Sequence, residues 1–252
     1  MPRLDRAVLL GSGGHVPTGR RETGCALILA GDRALVVDAG TGLRRLVTDP
    51  GLLDGVRAVD LVLTHFHLDH VVGLAYLSAI DRPVTVHGPG AALYGTPTAT
   101  VLDRLLAPPL MVGLDRFVAG VRELGPGEAE LGPFALRLRE QPRHAHPVLA
   151  LRLGDELAYC TDTALDPGNV ALAAGVRVLC HDAWSRSAEL RNPEVHASAR
   201  QAAEVARDAG ARELVLIHPD PTLPDDLALL AEAREVHPRT RLGEDLLELP
   251  LG

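Results

Sequence analysis

The sequence predicts an α/β protein, a four-layer αββα sandwich of two mixed sheets flanked by helices. Three observations carry that expectation. Short aliphatic runs alternate with helical stretches twice along the chain, so two sheets form and each needs helices on its outer face. A dense histidine and aspartate loop sits in the strand-to-helix connection Thr64-His65-Phe66-His67-Leu68-Asp69-His70. The 252 residues contain no linker or low-complexity segment, so one domain over residues 1–252 is expected.

The elements justify this in order. Ala7–Leu10 is a short apolar strand that runs into Gly11-Ser12-Gly13-Gly14-His15-Val16-Pro17. Val16 stands where a third glycine would complete G-x-G-x-x-G, and no helical pattern follows, so dinucleotide binding is rejected. Gly24–Ala30 and Ala34–Val37 make a hairpin turning at Gly31-Asp32. Asp38-Ala39-Gly40-Thr41-Gly42 follows, then a short helix at Leu43–Val47. Asp60–Leu63 reads as a buried strand and Val71–Leu77 as the opening of a buried helix. Between them lie three histidines and an aspartate, the ligand types that borderline cations such as Zn²⁺ accept. His65 and His67 alternate with Phe66 and can point one way, while Asp69 and His70 reach an adjacent position.

Val84–His87 is the next strand, with His87 at its end and given no metal role; Ala99–Leu106 is helical up to Pro108-Pro109. Leu110–Val118 is apolar and is expected to wall one side of a substrate cleft. Phe134–Arg139, Val148–Leu153 and Glu156–Cys160 are strands, the last two joined at Gly154-Asp155. Val176–Cys180 and Leu214–Ile217 are strands that run into His181-Asp182 and His218. Ala197–Ala209 and Leu227–Val236 are helices, and Leu246–Leu249 is a closing strand.

Composition narrows the classes. Aromatics are 3% of residues against 46% hydrophobic overall, so the core is built from Leu, Val and Ala. Every one of the 25 basic residues is Arg, and the net charge of −8 argues against a broad nucleic-acid surface. Cys25, Cys160 and Cys180 lack C-x-x-C spacing and lie in or beside apolar strands, which points to buried free thiols in a reducing compartment. No signal peptide or membrane-length run is present, so a soluble cytoplasmic protein without a membrane partner is expected.

H-x-H-x-D-H after a buried strand resembles the signature of the metallo-β-lactamase-fold hydrolases, and the Leu10-Gly11-Ser12-Gly13-Gly14 opening resembles their ribonuclease-Z-like branch. The resemblance implies two divalent cations, Zn²⁺ first, with Mn²⁺ or Fe open. It implies that His65, His67 and His146 hold one, that Asp69, His70 and His218 hold the other, and that Asp162 bridges them. His146, just ahead of Pro147 and a strand, matches the third position best, with His144 the alternative. Asp38 would brace the metal loop, Asp182 would lie beside the active site, and His196 would protonate the leaving oxygen. Asp69, His196 and Asp182 are thus the expected catalytic residues. Arg20 and Arg21 could grip a phosphate but fit a solvated loop as well. A homodimer is implied by analogy with relatives.

Two metals about 3.5–4 Å apart can share a hydroxide and clamp an in-line displacement. Asp69, Asp162 and that hydroxide leave a site of about +1, which favours a singly negative phosphodiester over a neutral ester. Members that process transfer RNA carry a long arm between the third histidine and the bridging aspartate. Here one tight hairpin fills that interval, so a small cyclic or linear phosphodiester is the expected substrate and nucleic acid is not. The competing expectations are an ester, thioester or lactone hydrolase, an RNA 3′-processing endonuclease, and an iron-dependent redox member.

Overall fold

Alternate residues of the strand Arg6–Gly11 (β1) divide between two cores: Ala7 and Leu9 face a second sheet, while Val8 and Leu10 face helices. That two-residue period organises the molecule. The computed structural model describes residues 4–223 and 225–251. The first sheet contains β1, β2 (Cys25–Ala30), β3 (Arg33–Val37), β4 (Ala58–Val62), β5 (Val84–Gly88) and β6 (Gly120–Glu123), side by side in that order. Its first three strands are antiparallel, and β3 to β6 run parallel.

The second sheet holds β7 (Gly127–Leu131), β8 (Phe134–Gln141), β9 (Val148–Leu153), β10 (Leu157–Cys160), β11 (Val178–Asp182), β12 (Glu213–Ile217) and β13 (Thr240–Leu242). It is antiparallel from β7 to β10 and parallel from β10 to β13. The helices are α1 (Arg45–Thr48), α2 (Leu68–Val71), α3 (Gly90–Tyr94), α4 (Thr98–Leu106), α5 (Pro167–Leu172), α6 (Ala199–Ala209) and α7 (Leu227–Arg234).

Three buried layers separate four structural ones. Leu35, Val37, Val62, Leu149, Leu151, Tyr159 and Ile217 lie between the sheets. Leu43, Leu74, Leu77 and Leu102 pack between the first sheet and its helices, and Ala202, Ala206, Leu214 and Leu229 do the same on the second. This is the αββα sandwich expected. All three cysteines are buried free thiols. Among the described residues no helix is long and apolar enough to cross a membrane.

Several elements depart from expectation. β6 and β7 carry glycine and charge on half-exposed edges, and β13 is an edge strand of three residues, so no apolar alternation marked them. The segment after α2 continues as 3₁₀ turns over Val72–Ala79. Residues 247–249 lie along β1 through Leu9 N–H to Leu247 O (3.0 Å) and Leu249 N–H to Ala7 O (2.9 Å), outside the named strands. Met111, Phe117 and Val118 pack against the first sheet's core, whereas Leu110 and Val112 are exposed.

Candidate metal centre

Parallel pairing aligns the C-terminal ends of β3, β4, β10, β11 and β12 at one edge of the sandwich, and each ends in a polar residue or leads into one. Three of these residues, Asp38 (φ 62), Asp162 (φ 49) and His218 (φ 60), take left-handed backbone that non-glycine residues rarely adopt. The turn each makes aims its side chain at the gap between the sheets. Conformations of this kind persist where the surroundings enforce them, and they cluster at functional sites.

Among the described residues, ligand atoms of His65, His67, His144 and Asp162 lie within 4.8 Å of one another. Asp69, His70 and His218 form a second such group, and Asp162, His196 and His218 a third. Asp162 spans the first two: Oδ1 is 3.6 Å from His144 Nε2 and 3.4 Å from His218 Nε2, while Oδ2 is 3.0 Å from His70 Nε2.

The ring orientations are imposed from behind. Asp38 accepts from the Thr64 amide (2.8 Å), the Thr64 hydroxyl (3.0 Å) and His70 Nδ1 (2.8 Å). His65 Nδ1 in turn lies 3.0 Å from the Thr64 hydroxyl, and that hydroxyl's proton is already given to Asp38, so His65 is the donor. One carboxylate thus fixes the tautomers of two histidines and turns both Nε2 atoms into the cluster. Both atoms are buried; His65 Nε2 has no hydrogen-bond partner, and His70 Nε2 faces only the carboxylates of the cluster, with Asp162 Oδ2 at 3.0 Å. Buried polar atoms are rarely left so, and a cation is the partner this donor set suits: imidazole nitrogens with carboxylate oxygens between them.

Of the two candidates for the third histidine, the structure brings His144, not His146, together with His65 and His67. His144 Nδ1 can only donate to the Val195 carbonyl (3.0 Å), which leaves Nε2 unprotonated and 3.2 Å from His67 Nδ1. His146 is exposed, with its ring centre 5.8 Å from that of His67, and belongs to none of the three groups. Arg21 is also occupied elsewhere: it donates to Ser12, Gly243 and Asp226. His87 pairs with Asp60 at 2.9 Å, away from the cluster.

His196 and Asp182 stand together at the cluster's edge. His196 Nδ1 donates to Asp182 Oδ2 at 2.8 Å, and the same oxygen accepts the Thr163 amide at 3.0 Å. Asp182 is wholly buried. The Trp184 indole, unmarked by any pattern in the sequence, stacks on the His196 ring at 4.4 Å and 11°. On the other side of the cluster the His15 amide donates to Asp69 Oδ2 at 2.9 Å. Gly14 lies so close to the His218 ring that a Cβ there would sit 2.7 Å from it, which is why glycine occupies this turn.

Charge divides the cluster. Burial drives His65, His67 and His144 toward the neutral form. Burial also works against charge on His218, but Asp162 and Asp69 push it up to about 9, and His70 is raised well above its ordinary value by Asp162, Asp69 and Asp38. The carboxyls of Asp69 and Asp162 resist burial because His70 and His218 hold them well below the usual range. Neutral rings ready to share a lone pair thus face protonated rings that take the place of cationic charge.

The family profile described as "Beta-lactamase superfamily domain" matches residues 33–219. The chain is similar to "Ribonuclease Z" of Methanopyrus kandleri, 30% identical over 287 aligned positions covering 96% of this chain and 97% of the relative. That span exceeds the 252 residues here, so the relative has inserted residues that this chain lacks. The metallo-beta-lactamase fold protein YhfI from Bacillus subtilis superposes with a TM-score of 0.80 at 19% identity, over 97% of this chain and 98% of that one. A diphosphatase of the PhnP family superposes with a TM-score of 0.74 at 17% identity, over 98% of each chain.

Proposed function

The chain belongs to the beta-lactamase superfamily as a hydrolase of the metallo-β-lactamase fold, and from that premise we propose that it cleaves a small phosphodiester at a dinuclear divalent-metal site. His65, His67 and His144 would hold one cation and Asp69, His70 and His218 the other, with Asp162 between them. When bound, such a pair activates water and neutralises charge on the phosphoryl oxygens. The observation that carries the reading is the His196–Asp182 pair. Its 2.8 Å hydrogen bond holds a histidine against the cluster with Nε2 as the one ring nitrogen free for substrate. A phosphodiester with an alkoxide leaving group needs a proton delivered to that oxygen; an activated carboxylic ester does not.

The roles follow from what each side chain touches. His196 Nε2–H gives its proton to the leaving oxygen, and Asp182 stabilises the imidazolium and fixes the tautomer. Trp184 holds the plane of the ring. Asp69, tethered by the His15 amide, orients the attacking water. The relatives named ribonuclease Z support phosphodiester chemistry over carboxylic ester chemistry. The tight β9–β10 connection and the charge of −8 without a lysine favour a small substrate over folded RNA.

The test is His196→Ala on three substrates of the metal-loaded enzyme. Turnover of a 2′,3′-cyclic nucleotide should fall about 10²–10⁴-fold. Bis-p-nitrophenyl phosphate, whose leaving phenolate needs little protonation, should lose less, and p-nitrophenyl acetate least. Equal losses on all three would overturn the assignment. Cleavage of a 3′-extended transfer RNA faster than the small diesters would move it to RNA processing, the second reading that the relatives' names favour.

A further inference from the structure

Val16 and Leu68 are 46% and 60% exposed, and with Pro17 and Val72 they line one cleft of about 540 Å³. Exposed large apolar side chains that converge on a concave surface mark a binding site more often than scattered ones do. Leu68 is placed between His67 and Asp69, both of which also border the cleft, so the apolar wall adjoins the metal centre.

The two threonines of the cleft are already engaged. Thr23 Oγ1 donates to Asp69 O (2.7 Å) and accepts the Thr41 amide (2.8 Å), and Thr41 Oγ1 accepts the Thr23 amide (2.9 Å). The ionisable side chains that line the cleft are His67 and Asp69 of the metal centre, and His15. The cavity beside Arg20 and Arg21 has the opposite character, since its arginines are paired with Asp226. Beyond His15 and the metal centre, a charged substituent would find no counter-charge along Val16, Pro17, Leu68 and Val72, and the two threonines already hydrogen-bond each other. Neither His196 nor Trp184 borders the cleft, so it lies away from the proton donor and its leaving group.

We infer that this cleft receives the retained ester group of the substrate, and that Leu68 and Val16 select an apolar one, aryl or branched alkyl. The inference rests on the phosphodiesterase reading for its kinetic arm only. Phenyl p-nitrophenyl phosphate and methyl p-nitrophenyl phosphate share a leaving group and differ in the retained one. Corrected for uncatalysed reactivity, wild-type kcat/KM should favour phenyl at least about tenfold. Leu68→Gln should bring that ratio below about threefold. Val16→Ser, outside the ligand loop, should lower it in the same direction and serves if Leu68→Gln loses metal.

The second readout is calorimetry on metal-loaded protein. Phenylphosphonate should bind at least about tenfold tighter than methylphosphonate, and Leu68→Gln should erase the difference. A wild-type preference below threefold in both arms, or one unchanged in both variants, overturns the inference. Failure to hydrolyse either diester with the phosphonate difference intact would overturn the phosphodiesterase reading and leave the cleft assignment standing.

Discussion

At the scale of single residues, the site turns on which nitrogen of which ring is free. His144 and His146 are two apart and would share a face of an extended segment, so spacing could not choose between them. The choice comes from the Val195 carbonyl, 51 residues away, which takes the Nδ1 proton of His144. His144→Ala should lower metal affinity at least 100-fold, since even outer-shell changes cost 10–100-fold. His146→Ala should leave metal content and turnover within about twofold of wild type, in keeping with an exposed loop residue. Elemental analysis after dialysis at limiting zinc checks both, and equal zinc loss in the two variants would overturn the assignment of His144.

At the scale of elements, strand ends supply the cluster and strand interiors keep those ends in line. Inside the first sheet Asp60 of β4 accepts from His87 of β5 at 2.9 Å and pairs with Arg33 of β3. Burial alone would raise its carboxyl pKa, but the hydrogen bonds from His87 and Arg33 outweigh that and hold it below the ordinary value. A lowered folded pKa gives stability that is present above the unfolded value of about 3.9 and lost as pH falls through the folded one. Asp60→Asn should therefore cost about 1–3 kcal/mol near pH 7, and the gap to wild type should close as pH drops below 4. Urea denaturation across pH would show it. A gap that stays constant down to pH 3 would mean that Asp60 contributes packing rather than charge.

At the scale of the whole molecule, two sheets from separate halves of the chain close on a cluster that is electrostatically complete only with added positive charge. Without a cation, protons on His70 and His218 compensate Asp69 and Asp162. His218, raised to about 9, contributes stability to the cation-free protein that is fully present below its unfolded value of about 6.5. That contribution is lost as pH rises through 9. Cation binding at pH 7 must expel these protons, so affinity should climb with pH and level off above about 9. Calorimetry of zinc uptake in buffers of different ionisation enthalpy should report release of about one to two protons per protein. Zero release would mean that the rings are already neutral. Chelation should lower the melting temperature, because the cation binds only the folded chain.

What the sequence determined by itself was local in origin. Short aliphatic runs placed most strands, the helical stretches between them required a four-layer stack, and six positions from His65 to His70 announced a cation site. Glycine and proline punctuation marked the loops that serve it, but edge strands such as β6 and β7, half-exposed and charged, left no alternation to read. The tertiary structure alone decided the remainder. It chose His144 through a carbonyl on another loop, stacked Trp184 on His196, buried Arg21 in internal bonds, and brought Val16 to Leu68 across more than fifty residues. Such choices depend on which distant groups satisfy a buried donor or share an apolar wall, and a linear pattern carries no information about partners that only folding brings within 4 Å.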